Sequence, residues 1–161
     1  MTTTTITTAA ATTTAAATAT AAVTTTSPHT RRKLSLGAKL RRTAWFAGAL
    51  FWTAFAILEG VNHGWLAGLV AFAFFLAPDF ALFIDIQGSA RLARGQLSPR
   101  AVPYYNAAHR ALIPFGLMLA YTFLPVYAPA LFAGLCGWLA HISYDRAFGY
   151  GLRTKEGLQR V

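Results

Sequence analysis

The sequence predicts an all-α polytopic membrane protein, with four transmembrane helices arranged as two antiparallel hairpins. Three observations lead there. Hydrophobic types make up 55% of the chain and charged types only 12%, about half the charge of a typical soluble domain. Four apolar runs each approach the ~20 residues needed to cross ~30 Å of hydrocarbon. Lys and Arg gather at alternate ends of those runs. No run shows the strict alternation of a lipid-facing strand, which excludes a barrel.

Taken in order, residues 1–30 form a Thr/Ala tract without Lys, Arg, Asp or Glu. Such a segment cannot bury enough apolar surface to offset its ordering entropy, so it is expected to be a disordered tail. It lacks the basic start and compact apolar centre of a secretory signal. Residues 31–42 carry Arg31, Arg32, Lys33, Lys39, Arg41 and Arg42. This juxtamembrane segment is expected to be a short amphipathic helix that attracts anionic lipid headgroups. The transmembrane domain then occupies residues 43–161, with spans expected at 43–58, 65–84, 104–123 and 129–148. Short connections at 59–64 and 124–128 close the hairpins.

Orientation follows from counting basic residues. Six precede the first span, three (Arg91, Arg94, Arg100) lie between the second and third, and four (Arg146, Arg153, Lys155, Arg160) lie at or beyond the end of the fourth. The connections at 59–64 and 124–128 hold none. The positive-inside rule therefore places both termini and the middle loop in the cytoplasm, and the chain in the cell (inner) membrane. A net charge of +9 suits this arrangement and not nucleic acid, because the basic residues flank apolar runs and form no recognition helix. The single cysteine, Cys136, excludes an intrachain disulfide and a cysteine zinc site.

Ionisable residues inside a span are costly and each needs an account. Here they are Asp79, His109, Arg110, His141, Asp145 and Arg146, with Asn106 as a neutral companion. At ~1.5 Å per residue, Asp79, His109 and His141 fall near one level in the cytoplasmic half. His141 and Asp145 are one turn apart and share a face, as do Tyr105 and His109. Asp79, Asn106, His109, His141 and Asp145 thus form one expected polar cluster. Pro78 is expected to loosen the turn that carries Asp79. Asp85 sits at the inner boundary and is expected to be solvated, or paired with Arg91 or Arg94. Arg146 is expected to snorkel to the inner surface.

Two readings of the cluster stand side by side. In one, the polar groups join helices through interhelical hydrogen bonds and ion pairs. In the other, His109, His141, Asp145 and Asp79 ligate a divalent metal such as zinc, iron or manganese. Lesser features read as structural. Gly149-Tyr150-Gly151 is expected to end the last helix. Gly64-x-x-x-Gly68 is read as a chance match, and His63 as a solvated loop residue.

Leu76-Ala77-Pro78-Asp79, then Tyr105-Asn106-x-x-His109 with Pro114, then Trp138-x-x-His141-x-x-x-Asp145-Arg146-x-x-Gly149-Tyr150-Gly151-Leu152 resemble a bacterial integral membrane family catalogued as domain of unknown function 4260. The resemblance spans about residues 39–160. It implies a small integral membrane protein and brings no activity with it.

Three functional readings remain open. One is a membrane protein whose cluster is structural or binds a small ligand. Another is a metal-dependent hydrolase acting near the inner leaflet. The last is a small transporter subunit, for which four helices would need homo-oligomers. No glycine-rich phosphate loop or serine nucleophile elbow is present, so an enzyme reading rests on the metal alone.

Overall fold

The computed structural model describes residues 35–160. The Thr/Ala tail and Arg31, Arg32 and Lys33 of the basic segment lie outside the described residues. Among the described residues the chain is helical, and the one ladder contact is an isolated antiparallel bridge between Arg153 and Gln159.

Helix α1 runs Leu36–His63. Ser35 caps it, its Oγ accepting from the Ala38 N–H at 3.3 Å. The expected first span was 43–58. The helix overruns it at both ends because no Gly-Pro or Asn-Gly breaker interrupts the sequence. Lys39, Arg41 and Arg42 therefore ride on the first turns of α1 and do not form a separate surface helix. At the far end, Glu59 to His63 remain helical, and the expected connection 59–64 contracts to Gly64, whose φ of 88° only glycine adopts readily. His63 is the last residue of the helix, with its Nε2 3.3 Å from Glu59 Oε2. Gly68 also has a use that the sequence did not reveal. A Cβ on Gly60 would lie 3.1 Å from Gly68 Cα, so the pair lets α1 and the following helix approach closely.

Helix α2 runs Trp65–Leu76 and gives way to a 3₁₀ turn, Ala77–Phe83. The continuous span expected over 65–84 is thus split. Pro78 has no N–H, and its ring excludes the Phe74 carbonyl from α geometry. The chain tightens, and Asp79 is carried on the tightened turn. A short helix, α3 (Ile86–Ala90), follows, capped by the Asp85 carboxylate on the Gly88 N–H at 3.0 Å.

The third span, expected as one helix over 104–123, is two: α4 (Val102–Ala108) and α5 (Leu112–Phe123). The cause is again proline. Pro114 stands four residues after Arg110 and cannot coexist with that carbonyl in an unbroken helix. The break falls at 109–111, at the position of His109.

Helix α6, Pro129–Phe148, has the expected bounds. It is the core of the molecule. Every residue from Ala133 to Ser143 is buried except Trp138, and α1, α2 and α5 pack around it. Small residues make this possible. A Cβ on Gly137 would collide with the Ala71 carbonyl of α2, and one on Gly134 would lie 3.1 Å from Val70 and the Phe74 ring. Gly149 ends α6 in the left-handed region, with the Gly149 N–H on Arg146 O and the Tyr150 N–H on Asp145 O, a Schellman turn. Beyond it the chain folds back on itself, with Thr154 N–H on Leu158 O and Arg160 N–H on Leu152 O. The turn docks against the loop between α3 and α4 through the Leu97 N–H on Gly157 O at 3.0 Å.

Two stretches are long and apolar enough to cross a membrane, Leu36–His63 and Trp65–Phe83. Helix α5 is apolar but short, and α6 is the helix the others enclose.

The close approach of α6 to α2 gives a direct test. Gly137→Ala should destabilise the fold by about 1–3 kcal/mol, because the added methyl has no room. Gly116→Ala, where a Cβ meets nothing within 4 Å, should be neutral or stabilise by up to about 1 kcal/mol. Thermal unfolding of the two purified variants separates these outcomes.

Candidate metal centre

The site forms where the two proline breaks meet α6. The 3₁₀ turn presents Asp79, the end of α4 presents His109, and α6 presents His141 and Asp145 one turn apart. His109 Nε2 lies 3.3 Å from Asp145 Oδ2, 3.8 Å from Asp79 Oδ1 and 3.3 Å from His141 Nε2. His141 Nε2 lies 3.6 Å from Asp79 Oδ1 and 3.8 Å from Asp145 Oδ2. Asp79, His109 and His141 are close enough together to hold a metal ion. Both imidazoles are buried, whereas the Asp79 side chain is 49% exposed. The site is therefore closed on the protein side and open past Asp79.

Hydrogen bonding fixes one imidazole. His109 Nδ1 is 2.9 Å from the Tyr105 carbonyl. A carbonyl only accepts, so Nδ1 carries the proton and donates it. In the neutral ring, Nε2 then has its lone pair directed at the cluster. This is the usual outer arrangement of a ligating histidine, in which the far nitrogen is tied to a carbonyl. Tyr105 also stacks on the His109 ring at 3.8 Å between centroids, and Phe75 meets the His141 ring edge-on. Rotation of either imidazole is opposed by an aromatic neighbour.

The break in the third span leaves carbonyls without helical partners, and side chains of α6 supply them. Trp138 Nε1 donates to Ala108 O at 2.7 Å. Arg146 Nη2 donates to His109 O at 3.0 Å, and its Nη1 to Tyr150 O at 3.2 Å. Arg146 therefore turns inward to brace the backbone of a site residue and does not snorkel as expected. Its role was missed because its partner is a carbonyl left open where α4 ends, a pairing that no residue spacing marks.

Asn106 is turned away from the four other residues of the expected cluster. Its Oδ1 accepts from the Arg153 N–H at 2.7 Å, and its Nδ2 donates to Arg153 O at 3.0 Å. It clamps the C-terminal turn as a backbone strand would. Arg153 completes the attachment, its guanidinium 5.3 Å from the Tyr105 ring centroid. Arg110 is exposed. Asp85 joins neither the cluster nor an ion pair with Arg91 or Arg94. It caps α3 and accepts from Ser98 Oγ. The Ser98 hydroxyl, chiefly, holds its carboxyl below the usual range, aided by the Gly88 N–H and the charges of Arg100 and Arg91.

With this geometry in place, the comparisons take on meaning. The family model described as "Domain of unknown function (DUF4260)" matches residues 40–161, and the chain belongs to that family. No curated protein and no solved structure matches. The matched region begins within the first turns of α1 and includes all four site residues, Asp79, His109, His141 and Asp145.

The support given to the broken span is separately measurable. Trp138→Phe keeps most of the ring but strands the Ala108 carbonyl, and should cost about 1–3 kcal/mol of stability. Thermal unfolding of the purified variant checks the loss. An unchanged midpoint would mean that the carbonyl has found another donor.

Proposed function

We propose that this chain is a multi-pass inner-membrane protein that holds a divalent transition-metal ion between Asp79, His109, His141 and Asp145 in the cytoplasmic half of its helices. One observation carries the metal reading. The two imidazole nitrogens lie 3.3 Å apart and each 3.3–3.8 Å from a carboxylate oxygen of Asp79 and of Asp145, and one of the imidazoles already spends its proton elsewhere. A bound cation satisfies the nitrogen lone pairs and the carboxylate charge together. A tetrahedral ion with bonds of about 2.0–2.1 Å spaces its ligands about 3.3–3.4 Å apart, close to the spacing here. Two histidines and two carboxylates suit zinc, iron or manganese.

The open side at Asp79 favours a catalytic site over a sealed structural one. A structural metal is enclosed by its ligands, whereas a catalytic metal keeps a position for water or substrate. We accordingly assign the class as metal-dependent hydrolysis near the inner leaflet, with Asp79, His109 and His141 as ligands, Asp145 beside them facing the position left for water, and Tyr105 and Arg146 as positioning residues.

The membrane reading draws on the apolar surface. Leu50, Phe51 and Ile57 of α1, Leu66, Leu69 and Phe72 of α2, and Leu112 and Phe123 of α5 are all exposed. A water-soluble protein rarely shows so much contiguous apolar surface. Both termini and the middle loop lie in the cytoplasm on the basic-residue count.

Metal analysis of protein purified without chelator tests the site. The wild type should carry about one divalent ion per chain, and His109→Ala and His141→Ala should each lose most of it, by the 10–100-fold or greater weakening expected for a lost ligand contact. Size-exclusion elution and helical content, measured in parallel, distinguish metal loss from unfolding. A folded wild type that takes up no zinc, iron or manganese would end the proposal. Topology is tested separately: reporter fusions at Val161 and Val126 should give opposite answers, and a cytoplasmic signal at Val126 would overturn the orientation.

A further inference from the structure

A second cavity, of about 480 Å³, lies between the first turns of α1 and the C-terminal turn of α6. Arg41 and Arg42 of α1, Arg146 of α6 and Arg160 of the C-terminal segment line it, with Trp45 and Tyr150 beside them and no Asp or Glu among the lining residues. Three separate stretches of chain thus bring four guanidinium groups to one concavity. Like charges held together repel, and the fold places no carboxylate there to offset them. Among the described residues, every ion pair joins a histidine to a carboxylate, and none involves these arginines.

One of the four is held in place by hydrogen bonds. Arg146 is oriented by the carbonyls of His109 and Tyr150. Arg42 lies over Gly149, where any side chain would displace its guanidinium. Arg41 and Arg160 are exposed at the mouth. Exposed Leu36 and Leu40 stand on the same first turns of α1. This is a shaped site and not a diffuse basic face. Planar guanidinium groups with several N–H donors match the oxygens of a phosphate group.

We infer that this cavity binds an anion bearing a phosphate group, supplied either by an anionic phospholipid headgroup or by free phosphate. Arg41 and Arg160 make the first contact, and Arg42 and the hydrogen-bonded Arg146 form the floor. Because Arg146 also holds the His109 carbonyl, the bound anion sits one side chain away from the proposed metal centre. The inference does not require the metal.

The test uses the full-length protein in neutral detergent, with thermal unfolding measured against inorganic phosphate, short-chain phosphatidylglycerol and short-chain phosphatidylcholine. A rise with phosphatidylglycerol alone assigns the headgroup. A rise with inorganic phosphate as well assigns the phosphate group itself. In either case Arg41→Gln/Arg160→Gln should weaken the apparent affinity by about tenfold or more, while Arg91→Gln/Arg94→Gln, an equal charge change in the inner loop, should leave it unaltered. No rise with either anion, an equal rise with phosphatidylcholine, or equal losses in the two double variants would overturn the inference. Metal content, measured on the same samples and unchanged in Arg41→Gln/Arg160→Gln, keeps this result separate from that of the metal centre.

Discussion

Two buried imidazole nitrogens, 3.3 Å from each other and each 3.3–3.8 Å from a carboxylate oxygen of Asp79 and of Asp145, set the terms for the rest of the structure. Buried polar groups without partners are costly, and here the rings and carboxylates partner one another. The surrounding elements are disposed so that the donors meet at all. Helix α6 supplies two of them from one face. The other two come from stretches that are not regular α-helix where they reach the site.

Pro78 and Pro114 are the source of that irregularity. Each removes a helical hydrogen bond and pushes aside a carbonyl four residues earlier. The interruption between α4 and α5 also leaves the Ala108 and His109 carbonyls without helical N–H partners, and buried carbonyls need donors. Trp138 and Arg146 provide them, so the residues that repair the backbone lie on the same helix as two of the converging donors. The third span is thereby fastened to α6 on both sides of the site. The same logic explains why α6 is lined with glycine and alanine. It must let α2 and α1 come close while presenting imidazole and carboxylate near its C-terminal end.

The C-terminal end of α6 is organised from the same residues. The Schellman turn at Gly149 reverses the chain, and Asn106 holds the returning strand by both ends of its amide. Tyr105 lies between Arg153 and His109, so the stack that steadies the imidazole is itself steadied by the C-terminal segment. Gly157 completes the docking, since a side chain there would collide with the Leu97 carbonyl. The C-terminal residues are therefore part of the site's support.

Much was legible in the sequence because it depends on local pattern. Apolar runs marked the helices, and the bounds of α6 could be read from Pro129 and Gly149, which start and stop a helix by their own geometry. Rise per residue put Asp79, His109 and His141 at one level, and helical spacing put Asp145 with His141. These are one-dimensional quantities, and the four side chains do meet. The tertiary structure decided what depends on pairs distant in sequence. Asn106 was grouped with the cluster by depth, yet rotation about the helix turned it toward Arg153. Arg146 was sent to the surface by its length, yet the His109 carbonyl, left open where α4 ends, drew it inward. Asp85 found a hydroxyl in place of an arginine. Depth along a helix follows from counting residues; azimuth, and the partner met there, follow from how broken helices pack.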